Sequence, residues 1–163
     1  MVEAVSTTQV ADRVHDIAVP AATRTVSRLE RIDYANALLA EVASAGERTA
    51  EQWARAILEE APAETREILA QGWAELGVRL GLAEPDRSVL GWPLLRSEEE
   101  VVLLGAESSF GLRGELLVER RPHAVLFGSF IQLDGEEARA KWAGMEHYHA
   151  PGMRMLIEGA LAR

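Results

Sequence analysis

Cysteine is absent from all 163 residues. That excludes disulfides, a thiolate nucleophile and any zinc site built on cysteine, and it fits a cytoplasmic location. Positive charge is scarce: 17 Lys and Arg stand against 26 Asp and Glu, for a net charge of −9. Phosphate contacts need clustered Lys and Arg, so no nucleic-acid partner is expected. Long apolar runs are missing too. No stretch approaches the roughly 20 apolar residues of a transmembrane helix, so no membrane span is expected. The first residues, MVEAVSTTQVADR, have neither the basic start nor the apolar stretch of a signal peptide. Internal repeats and low-complexity tracts are lacking.

What is present is an ordinary globular balance, 48% hydrophobic and 26% charged, in a chain long enough for one domain with a core. Residues 1 to 28 are polar and aperiodic and read as an N-terminal arm adding little to the core, with a single domain over 29–163. Within LERIDYANALLAEVA, residues 29–43, the alanines favour a helix, whereas Ile32, Tyr34 and Leu38-Leu39 allow a strand. Thr49 and Gln52 form a capping-box pattern that starts a helix. Pro62 suits the first turn of a second, whose stripe Leu69, Gly72, Trp73, Leu76 and Leu80 ends at Gly81.

After Gly81 the period changes to that of strands, over 88–96, 100–108, 113–120 and 123–132. The short polar turns between them imply antiparallel hairpins. Pro93 points to an edge or a bulge. A long helix opens at Asp134, with Glu136 and Glu137 in its first turn. Strands grouped together and then a helix mean an α+β fold, an antiparallel sheet gripping a long C-terminal helix.

That helix carries WAGMEHYHAPGMRM, residues 142–155. At 3.6 residues per turn, Trp142, Met145, His149, Met153 and Leu156 share one side, with Glu146 at its edge and His147 opposite. His147 and His149 therefore cannot share a metal, and no metal site is expected. Pro151 removes a backbone donor and should kink or break the helix. Two readings compete for Glu146 and His149: packed side chains of an untidy helix face, or the polar groups of an apolar cavity. In an enzyme they would be general acid and base. Ser108 and Ser109 lack the context of a hydrolase nucleophile, and Arg120, Arg121 and His123 read as a solvated charged turn.

The order of elements from residue 29 onward resembles the helix-grip fold of the START and Bet v 1-like (SRPBCC) superfamily: a strand, two short helices, a curved meander and a long last helix. The segments RIDYANALLAEV, RTAEQWARAILEEAP and RRPHAVLFGSFIQ also resemble an uncharacterised actinobacterial family. The proline in the last helix departs from the superfamily pattern. The resemblance implies a hydrophobic cavity between sheet and last helix. A small apolar ligand would then be buried against Trp92, Phe127, Phe130, Trp142, Met145, His149 and Met153, with no cofactor called for. A cyclase- or dehydratase-like enzyme acting through His149 and Glu146 is the alternative on the same scaffold. A third reading is a non-catalytic module whose apolar patch is buried in a homodimer.

Overall fold

The computed structural model describes residues 10–163, and expectations about residues 1–9 lie outside the described residues. Seven strands form one antiparallel sheet: β1 (Val14–Ile17), β2 (Tyr34–Glu41), β3 (Ser88–Val89), β4 (Trp92–Ser97), β5 (Val101–Glu107), β6 (Leu112–Arg120) and β7 (Ala124–Leu133), in the spatial order β1-β2-β7-β6-β5-β4-β3. The helices are α1 (Ala21–Arg24), α2 (Ala50–Leu58), α3 (Ala63–Glu75) and α4 (Glu136–Ala162). The α+β architecture expected from the order of patterns is the one observed.

Residues 34–41 are a strand despite their alanines. Every residue of β2 pairs with β7, from Tyr34 opposite Ile131 to Glu41 opposite Ala124. Leu38 and Ala40 are fully buried beneath the helices. Tertiary pairing overrides a weak helical propensity.

The expected strand over 88–96 is instead a hairpin. Leu90 and Gly91 both have positive φ, 49° and 84°, as a tight two-residue turn matched to strand twist requires. Pro93 follows that turn, and the register of β4 against β5 shifts between Leu94 and Arg96. The bulge that Pro93 signalled is there, just beyond the proline.

The capping box at Thr49 is complete. Its hydroxyl accepts from the Gln52 backbone N–H, and the Gln52 side chain accepts from the Thr49 N–H. α3 stops earlier than expected, at Gly77 rather than Gly81. The Val78 N–H reaches the Trp73 carbonyl and the Gly77 N–H reaches the Ala74 carbonyl, a Schellman closure with Gly77 at φ 71°. Leu80 therefore lies beyond the helix.

α4 runs unbroken through Pro151, so no break rotates its two halves out of register. The proline is exposed, and water can satisfy the carbonyl it leaves free. Arg154 ties the helix to the sheet edge through the Val14 carbonyl and Asp16.

Strand alternation sends two sets of side chains in opposite directions. On one face Leu38, Val102, Leu104, Leu116, Val118, Val125 and Phe127 meet α2 and α4. On the other, Leu103, Leu117, Leu126 and Phe130 are covered by Ile17, Val19, Val26, Leu29 and Ile32. The arm's small expected contribution is thus corrected for its described part. Val10, Val14 and Thr23 are buried, and residues 17–32 form a strap that closes one side of the sheet. A sheet with two apolar faces needs two covers, and Ser27, one of the arm's polar residues, anchors this one by donating to Glu115.

Candidate functional site

The helix-side face is incompletely filled. Between β6, β7, α3 and α4 lies a cavity of ≈ 180 Å³. Interiors are otherwise packed to crystal-like density with few voids larger than a water. Trp92, Leu116 and Phe127 line it from the sheet, Leu69 and Trp73 from α3, and Trp142, Met145, His149 and Met153 from α4. The angular argument for α4 therefore places the predicted stripe on the cavity. Phe130 is corrected: β7 alternates, so Phe127 faces the helices and Phe130 packs fully buried against the strap.

α3 forms one wall without being seated in the core. None of its residues is buried, and Ile68, which lines the cavity, is 57% exposed. Tyr148 and Met155 on α4 are also largely exposed and also line the cavity. Three of the four large exposed apolar side chains among the described residues thus ring one mouth.

The polar content of the cavity is small and organised. His149 sits inward, and its Nε2 lies 2.7 Å from Ser129 Oγ. Ser129 Oγ donates to Asn36 Oδ1 at 2.5 Å. The chain Asn36–Ser129–His149 thus runs from β2 across β7 to α4. Tyr34 and Trp142 flank the imidazole edge-on, with ring centroids 5.7 and 5.0 Å away. Burial without a nearby carboxylate lowers the His149 pKa to about 4, so the ring is neutral at pH 7. Trp92 and Trp142 belong to the lining, and their indole nitrogens, like the Asn36 amide nitrogen, are buried without a hydrogen-bond partner.

Glu146 is corrected as well: it is exposed and makes no hydrogen bond to His149 among the described residues. The acid–base pair expected from i, i+3 spacing is not assembled, and the partner of His149 is Ser129. His147 is exposed, as the helical wheel requires. Ser129 is fully buried beneath the imidazole, so it is placed to orient the ring rather than to attack a substrate. No described group of three or more His, Asp or Glu is arranged to hold a metal.

Ser129, Asn36 and Trp73 were not singled out from sequence as site residues. A signal for Ser129 existed. Positions 125, 127, 129 and 131 of β7 point one way, and a lone hydroxyl in that apolar series marks a polar group needing an inward partner. Asn36 carried no such signal while residues 29–43 could be read as either helix or strand.

No protein-family model, curated protein or solved structure matches this chain. None of the described helices is long and apolar enough to cross a membrane.

Proposed function

We propose that the protein binds a small apolar molecule in the cavity between the sheet and α4. The observation that carries this reading is the unfilled space itself, lined by aromatic and thioether side chains and ringed by exposed Ile68, Tyr148 and Met155. An apolar cavity of about 150 Å³ suffices to hold benzene, so ≈ 180 Å³ suits one ring or a short branched chain. Burial of such a ligand contributes roughly 25 cal/mol per Å² of apolar surface, less the cost of fixing it. α3, with no buried residue to anchor it, is the element that moves to admit the ligand. The order of elements, like that of the helix-grip superfamily, supports the same reading, because there too a last helix closes over a curved sheet.

Trp73, Trp92 and Trp142 line the cavity and report on its contents. Titration with toluene is expected to change tryptophan emission saturably and to raise the Tm. Met145→Trp, which fills the cavity, should abolish both responses in a chain that still unfolds cooperatively. Unchanged emission and Tm up to the solubility of toluene would refute the proposal.

A further inference from the structure

The cavity continues past its own rim. Ile68 on α3 and Tyr148 and Met155 on α4 line it, yet each is half or more exposed. Exposed apolar side chains gathered around one opening mark a binding surface. At 3.6 residues per turn, Gly72 lies between Ile68 and Trp73 on α3, and Trp73 faces inward, edge-on to Trp92 of the sheet. Gly152 lies likewise between Tyr148 and the buried Met153 on α4. Both glycines belong to the lining. Glycine is the poorest helix former after proline, and these two stand where the rim turns into the cavity wall. A Cβ at Gly72 would meet the Met145 terminal methyl at 3.4 Å, so the two helices close there. A Cβ at Gly152 would meet nothing within 4 Å. The seam between α3 and α4 is therefore open beside Gly152, with Tyr148 and Met155 about one turn to either side of it along α4.

A ligand held wholly within ≈ 180 Å³ leaves those three rim side chains in water, whereas one that continues through the opening covers them. The rise from Tyr148 to Met155 is about 10 Å along the helix, longer than a single benzene ring. An opening as wide as one missing side chain passes a chain and not a second ring. The lining holds no Lys or Arg, so the inner end of the ligand is uncharged, and a charged end stays in the water beyond the rim. We infer that the ligand is elongated: an uncharged apolar end, about one ring in size, fills the cavity, and an unbranched chain leaves between α3 and α4 beside Gly152, against Ile68, Tyr148 and Met155. Gly152 is then the position that sets how long a ligand the site accepts. This rests on the cavity reading above and adds the shape class of the ligand to it.

Toluene and butylbenzene share the ring and differ by three methylenes. Each buried methylene changes affinity about fourfold, so three that lie against the rim are expected to place the butylbenzene Kd at least tenfold below that of toluene, read from tryptophan emission of the full chain. Gly152→Leu puts a side chain into the opening and raises helix propensity, so the variant is expected to fold. In it butylbenzene should lose its advantage while the toluene Kd changes less than threefold. Tyr148→Ser, on the exposed rim, should cut the advantage at least twofold and leave toluene binding unchanged. Equal Kd values for the two probes in the parent chain would overturn the elongated ligand while sparing the cavity. An advantage that survives Gly152→Leu would overturn the exit beside that glycine. A dimer in sedimentation that Tyr148→Ser dissociates, with both probes bound equally, would give the rim to a second copy of the chain and overturn the ligand's place there. Failure of both probes to bind would bring down the cavity reading itself.

Discussion

The strap face and the helix face of the sheet have the same backbone beneath them and different jobs. Behind the sheet, residues 17–32 are held by two buried polar side chains. Glu115 accepts from the Ser27 hydroxyl and the Arg28 N–H, and Gln132 accepts from the Glu30 and Arg31 N–H groups. Phe130, Leu117 and Leu126 fill the space between without residual exposure. In front, three longer helices cover more sheet but leave a void where α3 stands off. Buried polar groups also differ in completeness. Those behind are answered by backbone and side chains of the strap and of Asp134, whereas in front the Asn36 amide nitrogen and two indole nitrogens have no partner. The face behind closes its hydrogen bonds on itself, and the face in front keeps both a void and unpaired polar atoms.

The contrast breaks first at Phe130. Phe130→Ala should lower stability by about 3–5 kcal/mol, the range for a fully buried phenylalanine, with toluene affinity per folded molecule unchanged. A loss of binding equal to that of a cavity-lining variant would mean that the two faces are not independent. Denaturant unfolding paired with titration measures both.

Next in size is Glu115→Ala, which strands the Ser27 hydroxyl and the Arg28 N–H and should cost about 1–3 kcal/mol. Limited proteolysis should then cut within residues 17–32 sooner than in the parent chain. Burial raises the Glu115 pKa above its ordinary 4.5. The folded state therefore holds that proton more tightly than the unfolded chain. Its contribution is full below pH 4.5 and is lost as pH rises through the folded pKa.

His149 has the opposite sign. With its pKa lowered from 6.5 to about 4, it contributes stability above pH 6.5 that is lost as pH falls through about 4. Unfolding measured across that window should lose less stability in His149→Phe than in the parent. A variant that keeps the parent's acid sensitivity would place the imidazole in water.

The smallest effects sharpen the comparison on the cavity side. A Cβ added at Gly72 meets only the Met145 terminal methyl, at 3.4 Å. Gly72→Ala should therefore stabilise α3 by up to about 1 kcal/mol through helix propensity and weaken binding slightly by narrowing the space. Calorimetry and thermal melts test both signs together. His147→Ala, on the exposed side of α4, should alter neither Tm nor affinity beyond about 0.5 kcal/mol.

Much of the molecule follows from sequence alone, because its signals are local. The Thr49–Gln52 box, the short turns of the meander and the angular stripe of Trp142, Met145, His149 and Met153 each depend on a few neighbouring residues obeying a fixed period. The inward face of α4 was therefore legible before any tertiary contact was known. What only the tertiary structure decided is everything that needs a partner distant in the chain. Tyr34–Glu41 became a strand because β7 pairs with it. Phe130 left the cavity and Phe127 stayed because register, not hydrophobicity, assigns a side chain to a face. The N-terminal arm became a cover because Glu115 and Gln132 lie some 87 to 102 residues further along the chain. His149 found Ser129 instead of Glu146, since the i, i+3 neighbour on a helix surface points to water while the hydroxyl waits on the sheet below. Periodicity tells which way a side chain faces, and only packing tells what it meets there.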